Sequence, residues 1–240
     1  MNDQSGDIQA ARIRIASTDE IAAALDSAGL RLDRAVIVLV GGAGIMGEKE
    51  FETVAQVLRD EVVPVAERRD AVVIDGGTDS GVMRLIGRAR SALGGRFPLI
   101  GVAAEGTVLV PGAGTPSPDA VELEPNHTLF LLVPGTQWGD EARWMTDVAG
   151  VVAGRRSSVT VLMNGGQIAY TDVAASLGSG RPVVVVAGSG GTADAIAAAR
   201  AGNGDDDRAV EIAASPLMTV AEIGEAGVAA AAIEAALDGG

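Results

Sequence analysis

Six short runs of aliphatic and β-branched residues punctuate the chain: AVIVLV (35–40), AVVI (71–74), PLIGVA (98–103), LFLLV (129–133), SVTVLM (158–163) and PVVVVA (182–187). Each is apolar throughout rather than at every second position. That is the pattern of strands covered on both faces, as in a parallel sheet. Between the runs, apolar residues recur at spacings of three and four. Phe51, Val54, Ala55, Leu58 and Val62 form one stripe on a helix predicted over 47–68. Comparable patterns predict helices over 80–92, 139–153, 170–179 and 190–200, and TVAEIGEAGVAAAAIEAAL (219–237) reads as a last helix. Near the start, Ser17 and Glu20 stand at capping-box spacing before a short helix that ends at SAGL.

Strand and helix therefore alternate along the chain. This predicts an α/β fold, a single Rossmann-like doubly wound domain with a mostly parallel sheet flanked by helices. Residues 1–17 are a lead-in with room for a short strand, and 18–240 form the domain; neither a second hydrophobic core nor a tandem repeat is visible. The longest irregular stretch, 104–128, is of a length that often carries function in compact domains.

Composition narrows the function classes. No apolar run of about eighteen residues lacks charge or glycine, which argues against membrane insertion. The first residues show no basic start followed by an apolar block, so a cytoplasmic location is expected. Without cysteine the chain has no disulfide framework and no thiolate metal site. A formal net charge of −14 repels polyanions and disfavours nucleic acid as a partner. The acidic run GNGDDDRAVE (202–211) lacks the spaced ligands and closing glutamate of a calcium loop and reads as a solvated loop. His127 is the one histidine, with neither a second histidine nor a cysteine to make a metal site. A hydrogen-bonding role with Asn126, holding neighbouring loops, is expected of it, with contact to a ribose as the alternative.

The glycines point to a ligand. The first strong strand runs into GGAGIMG, where Gly42, Gly44 and Gly47 satisfy G-x-G-x-x-G between a strand and a helix, the context in which such a loop cradles phosphate. Three further strands end in DGGTDSGVM (75–83), NGGQ (164–167) and GSGGTAD (188–194). In open α/β sheets, ligands lie outside the carboxyl ends of the strands, where these four turns would gather. A dehydrogenase is a rival reading, since Asp75 ends a strand where a ribose-binding acid would stand. It lacks a hydride-transfer constellation: Tyr170 has no lysine four residues on, and Lys49 is the only lysine.

In order and spacing, GLRLDRAVIVLVGGAG, VVIDGGTDSGVMRLIGRA, LIGVAAEGTV, LEPNHTLFLLVPGTQWGDEARW, VLMNGG and RPVVVVAGSGGTADAIA resemble the SLOG domain. The likeness is closest to the branch at the cytoplasmic N-terminus of melastatin-type transient receptor potential channels and its stand-alone prokaryotic relatives. It covers about residues 25–200 and implies a Rossmann-like fold that senses nucleotides, ADP-ribose among them. It also implies that Trp138, just after Gly135-Thr136, stacks on adenine, and it leaves Trp144 to the core. Arg143 is the candidate partner of a pyrophosphate, because a guanidinium grips two oxygens; the family's own arginine aligns at Met145. The candidate contact set is Gly41, Gly42, Ala43, Gly44, Gly76, Gly77, Thr78, Ser80, Gly81, Val82, Met83, Gly135, Thr136, Trp138, Glu141, Arg143, Gly165, Gly166, Gln167, Gly188, Ser189, Gly190 and Thr192.

A neighbouring branch hydrolyses the N-glycosidic bond of nucleotides and carries P-G-G-x-G-T-x-x-E with a catalytic glutamate. The matching segment here is NGGQIAYTD: Ile168 and Ala169 replace Gly-Thr, and Asp172 stands in the glutamate's place, the candidate catalytic residue of an enzyme reading. In the last turn, Gly191 and Thr192 follow where the channels place an arginine. The expectation is a sensor of ADP-ribose, NAD or another adenine nucleotide that requires no cofactor. The alternatives are a phosphoribohydrolase and a structural oligomerisation module. A homo-oligomer and a separate effector protein are both compatible with the sequence.

Overall fold

The computed structural model describes residues 10–42, 44, 46–110, 117–224 and 226–239. Eight strands form one sheet: β1 Ala11–Arg14, β2 Val36–Gly41, β3 Val72–Asp75, β4 Leu99–Ala104, β5 Leu129–Val133, β6 Ser158–Met163, β7 Val183–Ala187 and β8 Met218–Glu222. Their order is β1-β5-β4-β3-β2-β6-β7-β8, and every pairing is parallel. The six strands expected from the apolar runs are all present. The sheet carries helices on both faces, and the architecture is Rossmann-like.

Alternate side chains of each strand enter separate cores. Val36, Val38 and Val40 point to one face, under α1 (Ile21–Ser27), α5 (Ala142–Ala153), α6 (Gln167–Gly178), α7 (Gly191–Arg200) and α8 (Asp207–Ala213). Ile37 and Leu39 point to the other, under α2 (Glu48–Val57), α3 (Val63–Arg68), α4 (Gly81–Ala92) and α9 (Val228–Asp238). Above β4 and β5 on that second face, Val108 and Leu123 of the 104–128 stretch cover Ala103, Phe130 and Leu132. The stretch is pinned by bridges from Val108 to Val121 and from Thr78 to Leu123.

Four local expectations change. The helix predicted over 47–68 contains a π turn at Leu58–Val62, because Pro64 has no N–H to return to the Asp60 carbonyl. The run 219–237 is not one helix. From Met218, one residue before it, the chain alternates, Met218 and Val220 entering one core and Ala221 the other, and joins β7 as strand β8. Gly227, at φ 85°, then opens α9. The second half of the acidic run is helix α8, capped by Asp206, whose carboxylate accepts from the Arg208 N–H. The capping box is incomplete: Ser17 makes no cap bond, while the Glu20 carboxylate accepts from Ala16 N–H at 2.9 Å.

The lead-in does contribute a strand, β1, at the sheet edge beside β5. After β2 the chain winds outward through β3, β4 and β5, then returns to the other side of β2 for β6 to β8. The crevice between β2 and β6 is thus the topological switch point, where open α/β sheets hold ligands.

Candidate functional site

A cleft of about 700 Å³ opens at that switch point. Its floor is made by the turns after β2 (Gly41, Gly42, Gly44), β3 (Gly76, Thr78, Ser80) and β6 (Gly165, Gly166, Gln167), with Gly190 after β7. Small residues are required where these turns meet. A Cβ on Gly41 would strike Val82 and the Met163 carbonyl, and one on Gly42 would sit 2.6 Å from Asn164 Oδ1. Gly166 differs: a Cβ there would meet nothing within 4 Å, so its open side faces the cleft.

Asn164 joins two turns. It lies at φ 56°, its N–H donates to Ser189 Oγ at 2.7 Å, and its Nδ2 donates to the Ser189 carbonyl at 2.9 Å. Thr192 donates to the Gly166 carbonyl at 2.8 Å. Ser189 and Thr192 therefore hold the β6 and β7 turns together and do not line the cleft; nor does Gly188, whose N–H is bound by Asp194.

Other expected contacts also lie elsewhere. Gly77 is buried against β4, its N–H held by Asp75 Oδ1 at 2.7 Å, and a Cβ on it would come within 2.8 Å of Gly101 Cα. Val82 is in the core and gives its N–H to the Gly42 carbonyl, and the adjoining Gly81 is buried with it at the start of α4. Gly135 and Thr136 form a turn capped by Asp140, which accepts from Thr136 N–H at 2.9 Å. Arg143 is 89% exposed and faces Asp147 at 3.8 Å, outside the cleft. Met145, where the resemblance aligns an arginine, lines the cleft instead. Half a helical turn explains the difference, since residues two apart face nearly opposite directions. Ala43 lies outside the described residues.

The cleft wall combines Trp138 with Met46, Met83 and Met145. Half of the six methionines gather here, an adaptable apolar surface suited to a ring. Trp144 instead packs against the core beneath α5. Sequence reasoning passed over Met46, Glu50, Thr107, Val121, Asn164, Ile168 and Gly191 in the lining. Of these, Asn164 had a signal, an asparagine just before Gly-Gly at a strand end, where αL geometry is common. Thr107 and Val121 come from the 104–128 stretch, whose length was the only sign.

Three carboxyl groups, Glu50, Glu141 and Asp172, line the cleft, and no lysine or arginine does among the described residues. Both Glu141 oxygens accept from the Gly139 N–H, at 3.2 and 3.1 Å. Burial raises the Glu141 pKa against that bond. Asp172, on α6, has one buried oxygen, Oδ1, without a hydrogen-bond partner. Burial, and then the nearby Glu141 charge, push its carboxyl up to about 7.

Behind the β3 turn lies a buried triad. His127 Nε2 is 2.8 Å from Asp75 Oδ1, and Nδ1 is 2.8 Å from Glu124 Oε2, with the ring stacked on Phe130 at 5.2 Å. Burial opposes the imidazolium, but the two carboxylates outweigh it and raise the pKa to about 9. Asn126 binds Glu124 rather than the imidazole itself. Asp75 is therefore turned into the protein, away from where a dinucleotide ribose would need it.

Over residues 34–231 the sequence matches the family model described as SLOG in TRPM, prokaryote. The chain belongs to that family. It is similar to transient receptor potential cation channel subfamily M member 2 of Mus musculus and of Rattus norvegicus. In both it is 30% identical over 207 residues, which cover 70% of this chain and 13% of the channel. This SLOG chain thus corresponds to a small part of those channels. Among its described residues no helix is long and apolar enough to cross a membrane.

Proposed function

We propose that this chain is a nucleotide-binding sensor that takes ADP-ribose or a related adenine nucleotide in the switch-point cleft. The observation that carries the reading is the convergence of four glycine turns beneath one tryptophan in a single cavity of about 700 Å³. Family membership supports it. Phosphates would rest on the turns and on the N-terminal ends of α4, α6 and α7, where helix dipoles favour negative charge. Adenine would lie on Trp138 against the methionines. No cofactor is needed for binding of this kind.

A panel of ADP-ribose, NAD, AMP and cyclic nucleotides tests the reading by thermal shift. One of them should raise the melting temperature through preferential binding to the folded state. Trp138→Ala should weaken that ligand about 5- to 150-fold, the range of a lost stacking contact of about 1–3 kcal/mol. A midpoint unmoved by every nucleotide at millimolar concentration would refute the proposal.

Asp172 keeps a second reading in view, hydrolysis of a nucleotide N-glycosidic bond, because a carboxyl group with a pKa of about 7 sits inside the same cleft. Mass spectrometry of the same mixtures separates the two. Steady release of free base by wild type, abolished in Asp172→Asn, would establish an enzyme.

A further inference from the structure

We propose that Asp172 enters the cleft as a neutral carboxylic acid that donates a hydrogen bond to the ligand, with Glu141 as the fixed negative charge beside it. The identity of the ligand rests on the nucleotide reading above; the state of the acid does not.

The argument begins with the surroundings of the two groups. The cleft supplies no lysine or arginine among the described residues, so its carboxyl groups have no cation to share. Two carboxylates in such a space do not both ionise cheaply; one holds a proton. The geometry chooses which. Glu141 is the N-cap residue of α5, where the helix dipole favours an anion, and both its oxygens accept from Gly139 N–H. Asp172 is the sixth residue of α6, past the first turn and the reach of that helix's dipole. Its Oδ1 has neither a protein partner nor water contact. An ionised carboxylate would place half its charge on that shielded oxygen, whereas a neutral acid keeps Oδ1 as its uncharged carbonyl and carries the proton on Oδ2, the oxygen free to meet a ligand in the cleft. The upward displacement of the Asp172 pKa agrees.

Asp140, beside Glu141, is the one neighbouring charge that opposes this order, and its carboxylate is held by the Thr136 and Gln137 N–H groups. On α5, Arg143 and Asp147 face each other outside the cleft. Asp206 and Arg208 pair beside the Tyr170 ring, and Asp207 and Glu211 of α8 are exposed. On α7, Asp194 is bound by Gly188 N–H and Arg200 by the Ala213 carbonyl. Strands β2, β6 and β7 carry no titratable side chain. Glu50, on α2, is the third carboxyl group of the lining and supplies no cation.

A neutral donor also resolves a conflict in the site, since an ionised Asp172 would repel the phosphates that the glycine turns invite. The acid selects a ligand that presents an acceptor, such as a ring nitrogen or a phosphate oxygen, to the middle of α6.

Two measurements test this. The first is a carboxyl-¹³C titration of the intact protein without ligand, with Asp172→Asn to assign the signal. The expected midpoint lies near 7 and falls toward the ordinary aspartate range in Glu141→Gln. A carboxyl already ionised at pH 5.5 overturns the proposal. The second is calorimetric titration with ADP-ribose, whose pyrophosphate does not titrate between pH 6 and 9. Wild-type affinity should fall about tenfold per pH unit above 7. Asp172→Asn, whose amide still donates, should hold a level affinity to pH 9, while Asp172→Ala should be weak throughout. A wild-type affinity independent of pH, or one whose fall persists in Asp172→Asn, overturns the donor role. Absence of binding by ADP-ribose and by every other nucleotide of the panel overturns the nucleotide reading instead, and a ligand-free midpoint near 7 would still support the neutral acid.

Discussion

Removing the imidazolium from the Asp75–His127–Glu124 triad should destabilise this protein in two separable ways. His127 is completely buried between two buried carboxylates, and its pKa stands at about 9 against an ordinary 6.5. A histidine whose folded-state pKa is raised stabilises the fold fully below its unfolded value, and that contribution is lost as pH rises through the folded one. The window is therefore about 6.5 to 9. At about 1.4 kcal/mol per unit, the loss across it is about 3 kcal/mol. His127→Ala should remove this pH dependence altogether. It should also lower stability at pH 6.5 by about 3–5 kcal/mol, the cost of stranding buried charge. Urea unfolding followed by circular dichroism at pH 6.5, 7.5, 8.5 and 9.5 measures both effects. The chain has no cysteine, so thiol chemistry does not interfere at alkaline pH. Wild-type stability that is level from pH 6.5 to 9.5, or a slope that persists in His127→Ala, would refute a charged triad. Because Asp75 holds the Gly77 N–H, the same variant should disturb the β3 turn and with it Thr78 and Ser80 in the cleft.

The glycine turns divide into two kinds. Gly166→Val, with open space for its side chain, should change stability by less than about 1 kcal/mol yet weaken ADP-ribose at least tenfold by blocking approach to the turn. Gly77→Val should instead cost about 3 kcal/mol or more, since φ is +69° and the Cβ meets Gly101; equal unfolding midpoints for the two variants would contradict this division. Arg143→Ala should leave ADP-ribose affinity within about twofold, and a tenfold loss by calorimetry would return the exposed arginine to the site.

Much of this chain was legible without coordinates. Continuous Val, Ile and Leu runs can be satisfied only by strands covered on both faces, so the six inner strands and their parallel arrangement follow from local pattern. The glycine turns were visible for a similar reason, since backbone constraints are written in the residue itself. The edges were harder. β8 hides in an alanine-rich stretch because an edge strand needs only alternate burial, and its neighbour β7 decides its conformation. The π turn was half-legible, as Pro64 announces a missing N–H without saying how the helix absorbs it.

The site shows where local pattern stops. Gly77 and Gly166 look alike in sequence, each the second of a Gly-Gly pair after a strand. Only the packing of β4 behind one and empty space beside the other gives them different surroundings. Likewise Arg143 and Met145 are two residues apart, and the orientation of α5 on the sheet sends the arginine to solvent and the methionine to the cleft. The pairing of Asp172 with Glu141, and of His127 with Asp75 fifty-two residues earlier, joins segments that share no periodicity. Sequence by itself determined which segments are strand, helix and turn, because those depend on backbone freedom and side-chain burial within a few residues. Tertiary structure decided which turns face one another across the switch point. Charge, proton and exposure are set by neighbours that the chain brings together only when it folds.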